Sequence, residues 1–212
     1  METDKLINAL AADSRPPGVP LPLVWTGATV GAMVIATTVF FAMLGPRADI
    51  ASASQTLRFL FKFVVTIALA ASAFGLLQIL ARPEAEPRRL LSCLAIAPAL
   101  LAGGVGAELV VLSPDSWSAR LVGTNSLICL TFIPLIGIGP LALLLLALRH
   151  GAPSRPTLAG AIAGLAAGGM AATYYAAHCT DDSPLFVATW YTIAVMLLAL
   201  LGALAAPRVA RW

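Results

Sequence analysis

The chain has 212 residues, of which 59% are hydrophobic and only 11% are charged, and its formal net charge is +3. A soluble domain of this length has too little interior to bury so large an apolar fraction, whereas a lipid bilayer accepts it directly. The composition therefore excludes a soluble globular protein and predicts an integral membrane protein.

The first predicted element is a short helix in the polar segment 1–20. Thr3 is a suitable N-cap for a helix that extends to about Ala12. A helix of about ten residues is only marginally stable alone in water. Two interpretations stay open: the helix lies on the membrane or against the 82–89 loop, or it folds into the groove of a soluble partner. The apolar face of this helix consists of Leu6, Ile7 and Leu10, and the acidic residue Asp13 follows it.

Six long apolar runs follow, and each can cross a bilayer as a helix. A span needs about 20 residues, because the hydrocarbon core is roughly 30 Å thick. The runs are continuous rather than alternating, which favours helices over the strands of a barrel. The prediction is an all-α fold in which residues 21–212 form an integral membrane bundle of six transmembrane helices with short loops. The predicted spans are 23–44, 60–81, 90–111, 121–148, 157–179 and 185–206.

The basic residues predict the orientation of the bundle. An even number of spans places both termini on one side, and that side holds nine lysines and arginines against four on the other. The positive-inside rule then places both termini in the cytoplasm. We expect Lys62 and Glu108 to reach water at the outer ends of their spans. The nine are Lys5, Arg15, Arg82, Arg88, Arg89, Arg149, Arg155, Arg208 and Arg211, and the four are Arg47, Arg58, Lys62 and Arg120.

A row of small residues marks the fifth predicted span. Gly160, Gly164 and Gly168 recur every four residues, so they share one helix face. Such a face lets another helix approach closely. It indicates either packing within the chain or a contact between copies that would form a homo-oligomer.

The three cysteines lie at different depths. Cys93 is near the inner end of the third span and is interpreted as a small buried hydrophobic residue. A fourth helix capped by Asn125 or Ser126 places Cys129 in its first turn, where the helix dipole favours a thiolate. Cys129 is therefore predicted to be more reactive than Cys179, which ends the fifth span.

The surroundings of Cys179 leave its role open. His178 could assist it as a base, and Asp181 and Asp182 follow as auxiliary residues. Cys129 and Cys179 either meet near the outer surface as a redox pair or are two unrelated buried thiols. The donors do not have the spacing of a known zinc motif, so no resident metal site is predicted.

No catalytic motif accompanies these cysteines. The sequence has no Walker loop, HExxH, GxSxG or CxxC, and no loop is long enough for a soluble domain. We therefore expect neither an enzyme nor a cofactor. The enzymatic alternative is a membrane thiol–disulfide oxidoreductase that uses Cys129 and Cys179 and passes electrons to a quinone. A transporter is disfavoured because charges inside the spans are almost absent, and direct nucleic-acid binding is disfavoured because there is no basic run with interleaved aromatics.

Three stretches resemble the NrsF-type family of membrane-bound anti-sigma factors, which are negative regulators of extracytoplasmic-function (ECF) sigma factors in proteobacteria. They are Leu6–Asp13 with Arg15-Pro16, Arg149–Pro156 and His178–Tyr191. The resemblance extends over nearly the whole chain, including the six-span layout. The cysteine positions are especially similar to those of a rhizobial member of the family.

The resemblance implies a multi-pass protein of the bacterial inner membrane, surrounded by lipids, whose cytoplasmic N-terminal segment withholds an ECF sigma factor from RNA polymerase. Oxidative or heavy-metal stress would release the sigma factor. Carried onto this sequence, Cys129 and Cys179 are the sensing pair and Cys93 has no assigned role. The zinc-binding HxxxCxxC signature of soluble anti-sigma domains is absent, so that mechanism is not implied. The partner contact would involve Leu6, Ile7, Leu10 and Asp13.

Overall fold

The computed structural model describes residues 3–12, 19–82 and 92–209. Within these ranges the regular structure is entirely helical, and six helices are long and apolar enough to cross a membrane. The predicted all-α, six-helix architecture is confirmed. The spans, in chain order, are Leu21–Met43, Leu57–Leu80, Ser92–Val111, Ser126–Leu148, Pro156–Ala176 and Pro184–Val209.

Local chemistry explains where the spans begin. The fifth and sixth spans start at Pro156 and Pro184, where a missing N–H costs no helical hydrogen bond. The hydroxyl oxygen of Thr56 accepts a hydrogen bond from the amide of Phe59 and so caps the second span. The fifth span ends at Ala176, earlier than predicted, so Cys179 lies in a loop rather than at a helix end.

The N-terminal segment contains the predicted short helix, Thr3–Ala12. Thr3 lies inside its first turn rather than capping it. Ile7 is 56% exposed, so this side chain is available for contact with a partner or a surface. The side chains of Leu6 and Leu10, and the whole of Asp13, lie outside the described residues.

The fifth span is the central helix of the bundle. It packs on the sixth span most extensively and also on the second and fourth. In the most apolar 18-residue stretch of the fifth span, 61% of the residues are buried within the protein. The corresponding share in the third span, which lies at the periphery, is 11%. The small side chains of the fifth span permit this close approach.

Within the same chain, the sixth span covers the face of Gly160, Gly164 and Gly168, for which the sequence left two alternatives open. A Cβ atom at Gly160 would collide with the backbone of Gly202, and one at Gly164 with the backbone of Leu198. The alternative, packing within the chain, is the one that the structure contains.

Candidate functional site

The connection between the fifth and sixth spans, residues 177–183, joins the whole bundle at the end opposite the termini; we call it the distal loop. It is attached first to the segment that follows the first span. The amide of Arg47 donates to the carbonyl oxygen of Ala177 at 3.0 Å. The Nδ1 atom of His178 lies 3.0 Å from the carbonyl oxygen of Gly45, so in the structure His178 joins these two loops.

A buried ion cluster ties the distal loop to the second span. The side chain of Lys62 is 0% exposed, and its Nζ lies 2.5 Å from Oδ1 of Asp182. Arg47 approaches the same carboxylate at 3.0 Å. Both cations also donate to the carbonyl oxygen of Cys179, Lys62 at 2.9 Å and Arg47 at 3.3 Å. The expectation that Lys62 reaches water is therefore wrong, because the distal loop covers it and supplies its partners.

Arg47 is held from both sides. Its Nε and Nη2 atoms donate to the two carboxylate oxygens of Asp49 at 2.6 and 2.7 Å. Hydrogen bonding to Asp49 raises the pKa of Arg47, and the guanidinium in turn lowers the pKa of Asp49. Arg47 therefore stays charged and forms a fixed bridge between Asp49 and Asp182.

Asp181 ties the distal loop to the start of the fourth span. Its carboxylate accepts hydrogen bonds from the amides of Thr124 and Asn125 at 3.0 and 2.8 Å, and from the side-chain amide of Asn125 at 2.8 Å. Gly123 makes this approach possible: its φ is +57°, and a Cβ atom there would lie 2.8 Å from the carboxyl carbon of Asp181. Asn125 occupies the predicted N-cap position, but its own side chain makes no capping hydrogen bond.

Glu108 ties the third span to the start of the sixth. It is 5% exposed, which contradicts the prediction that it reaches water. Its Oε2 atom accepts hydrogen bonds from the hydroxyl of Ser183 at 2.7 Å and from the amide of Leu185 at 3.2 Å. Arg58 lies 3.3 Å from the other carboxylate oxygen. The distal loop is therefore joined to every span, either directly or through the adjoining connection.

Cys129, at the start of the fourth span, and Cys179, in the distal loop itself, belong to one buried cluster together with Tyr175, Phe186 and Tyr191. Both cysteines are 0% exposed and both are free thiols. The amide of Cys129 donates to the carbonyl oxygen of residue 125, so Cys129 lies in the first helical turn as predicted. Because both thiols are buried to the same extent, burial does not distinguish their reactivities, and the prediction that Cys129 is the more reactive one stays a prediction.

The environment of Cys179 combines burial with a nearby positive charge. Burial raises the pKa of its thiol, and the ammonium group of Lys62 acts in the opposite direction. The Sγ atom lies 3.7 Å from the carbonyl oxygen of Asp181. At rest the thiol is therefore protonated and shielded from solvent.

A π-helical turn, Val187–Tyr191, follows the first α-helical turn of the sixth span, and its Tyr191 belongs to the same cluster as the cysteines. Such turns are frequent at functional sites. Tyr191 is 3% exposed and packs 5.6 Å from the ring of Tyr175, centroid to centroid. Its hydroxyl lies near the Cys179 thiol but makes no hydrogen bond to any described residue. The cluster therefore contains a buried polar group without a hydrogen-bond partner among those residues.

Sequence reasoning named the cysteines, His178, Asp181 and Asp182, but it missed Lys62 and Arg47 as members of the site. The available signal was an ionisable residue at the edge of an apolar run, which in membrane proteins is a functional candidate by default. No group of three or more His, Cys, Asp or Glu side chains in the described part of the chain is arranged to hold a metal ion.

Comparison with known proteins finds relatives over the full length of the chain. A family described as "NrsF: Negative regulator of sigma F" matches residues 10–212. The chain is 34% identical over 219 residues to the anti-sigma-F factor NrsF of Caulobacter vibrioides, covering 100% of both chains. It is 30% identical over 215 residues to the probable anti-sigma-F factor NrsF of Azospira oryzae, again over 100% of both. No solved structure matches it.

Proposed function

The chain belongs to the NrsF family of negative regulators of sigma F, and from this premise we propose that it is a membrane-bound anti-sigma factor whose partner is a sigma factor of the ECF type. Its relatives are regulatory proteins rather than enzymes, so the oxidoreductase alternative is set aside. A sigma factor works in the cytoplasm, and the protein must therefore present its binding surface on that side of the inner membrane.

We propose that residues 1–20 withhold the sigma factor and that residues 21–212 form the membrane sensor. The short helix Thr3–Ala12 supports the first assignment, because Ile7 on this helix is exposed. An amphipathic helix of this kind can fold into a partner's groove. Asp13 follows the helix and would add a polar contact.

The distribution of basic residues supports placing the termini in the cytoplasm. Nine of the 13 lysines and arginines belong to the side of the termini. The positive-inside rule counts lysines and arginines near the span ends and therefore favours that side as the cytoplasmic one.

Cys129 and Cys179 form the proposed sensor. The observation that carries this proposal is their joint burial in one cluster at the distal loop, which is joined to every span. A disulfide, a sulfenic acid or a captured thiophilic metal ion adds or rearranges atoms in a closely packed cluster, which costs about 1–3 kcal/mol unless the cluster moves. A tenfold loss of affinity for the sigma factor needs only about 1.4 kcal/mol of coupling.

The experiment that tests the function is co-purification of the sigma factor with the full-length protein from membranes. We expect the sigma factor to be retained by the wild type and lost when residues 1–15 are removed. Ile7→Asp should also abolish retention, whereas Asn8→Asp, on the adjacent exposed position of the same helix, should not. Retention of the sigma factor after truncation would refute the assignment of the N-terminal segment.

A further inference from the structure

A completely buried lysine faces the carbonyl group of Cys179. Among the described residues, Lys62 is the one basic residue whose side chain is fully buried. Its Nζ lies 2.9 Å from the carbonyl oxygen of Cys179 and 2.5 Å from Asp182. Lys62 lies inside the second span, so the position of its backbone in the bundle is fixed.

Stability alone does not account for this lysine. A buried ion pair loses about as much by desolvation as it gains by attraction, and apolar residues of similar volume are often at least as stable. The distal loop already has other attachments through Arg47, Asp181 and Ser183. A buried charge held on the backbone carbonyl of a cysteine, in contrast, acts electrostatically on the thiol of that residue.

We infer that Lys62 is the positioning residue of Cys179: its ammonium group fixes the carbonyl of Cys179 and supplies the buried positive charge that the thiolate needs. Asp182 opposes it, because its carboxylate compensates part of that charge. Lys62 and Asp182 together therefore set how readily Cys179 reacts. This inference deepens the proposed sensing role and rests on it.

The test measures the thiol itself. Full-length protein in membranes is treated with iodoacetamide across a pH series, and alkylation of Cys179 is quantified by mass spectrometry of its peptide. In Lys62→Met the midpoint of the pH profile should move up by about one unit or more, which is about a tenfold slower reaction at a fixed pH below the midpoint. Lys62→Arg keeps the charge and should restore most of the wild-type profile.

Asp182→Asn provides a second, opposite expectation and remains informative if Lys62→Met does not fold. It leaves the ammonium uncompensated, so the midpoint should move down. Arg58→Met is the matched control, because Arg58 lies one turn earlier on the same helix and pairs with Glu108 instead. Its midpoint should not change.

Several groups face the cluster and contribute to the measured profile, so each variant is compared with the wild type rather than with free cysteine. A change in rate by the same factor at every pH, with an unchanged midpoint, would show that Lys62 only holds the loop and would overturn the inference. So would an upward shift or no shift in Asp182→Asn. The facing groups are Arg47, Cys129, Tyr175, His178, Asp181 and Tyr191.

The outcome is separable from that of the proposed function. Release of the sigma factor is measured independently, in Cys179→Ser protein under oxidant. If that variant still released its partner normally, the sensing role would fail while the effect of Lys62 on the thiol would stand. If the midpoint were insensitive to Lys62, the positioning role would fail while sensing by Cys179 would stand.

Discussion

Replacing Asp181 by alanine should detach the distal loop from the fourth span and release the sigma factor without any oxidant. The wild-type carboxylate accepts hydrogen bonds from two backbone amides and one side-chain amide, at 2.8–3.0 Å. A hydrogen bond to a charged group contributes about 1.5–3 kcal/mol. Asp181 is partly exposed, so water replaces some of these bonds, and we expect a total loss of about 2–4 kcal/mol.

Two measurements separate the stability of the loop from its role in signalling. The melting temperature of the purified protein in detergent should fall by roughly 5–15 °C. This range follows from the usual relation between free energy and melting temperature for a chain of this size. Transcription from a promoter of the sigma factor should rise without oxidant, because the expected loss exceeds the approximately 1.4 kcal/mol needed for a tenfold change in affinity. Asp115→Ala, an exposed acidic residue in the connection before the fourth span, should change neither quantity.

The two measurements together distinguish a structural role of the distal loop from a role in releasing the sigma factor. A lower melting temperature with normal retention and normal oxidant-dependent release would show that the distal loop stabilises the bundle but does not control the sigma factor. An unchanged melting temperature would show that the hydrogen bonds of Asp181 are replaced by water without loss.

Cys129→Ser and Cys179→Ser should each bind the sigma factor normally but respond at least tenfold less to oxidant in a reporter assay. Cys93→Ser is the control and should respond normally. A normal response in both Cys129→Ser and Cys179→Ser would refute the thiol mechanism. Gly164→Val should lower the melting temperature sharply or prevent folding, because its Cβ would collide with the backbone of the sixth span, while Gly103→Ala, which has open space around its Cβ, should be nearly neutral. Burial raises the pKa of Cys179 above its ordinary value of 9.0. The stability that its protonated thiol contributes is therefore complete below pH 9.0 and is lost as the pH rises through the folded-state pKa. Cys179→Ser should flatten the alkaline part of a plot of melting temperature against pH, and an unchanged slope would contradict this expectation.

The spans could be predicted from the sequence because membrane insertion is a local property. Each run of about 20 apolar residues satisfies the length and hydrophobicity that a bilayer requires, whatever the other runs do. The same holds for the start of the fourth span at Ser126, which was expected from the polar residues before it. The fifth span ends at Ala176, three residues before the predicted end. Residues 177–179 are compatible with a helix by composition, but in the fold they belong to the distal loop, which contacts distant parts of the chain.

The site could be predicted only in part, because its contacts join distant parts of the chain. Arg47 and Asp182 are 135 positions apart, and Lys62 and Cys179 are 117 apart. Hydropathy places Lys62 near a span end, where exposure to water is the ordinary outcome. Only the fold shows that the distal loop covers it. Gly160 carried a similar ambiguity, since a small-residue face does not reveal whether its partner helix belongs to the same chain.

The second span offers a direct structural route from the thiols to the N-terminal segment. At one end Lys62 holds the carbonyl of Cys179. Twelve residues further along the same helix, or about 18 Å at 1.5 Å per residue, Phe74 packs edge-on against Trp25 of the first span, with ring centroids 5.9 Å apart. Trp25 is 4% exposed and lies in the first turns of the span that residues 1–20 enter. A rigid helix contacted at both points can shift as a unit, so a displaced distal loop would move the base of the segment that we propose to bind the sigma factor.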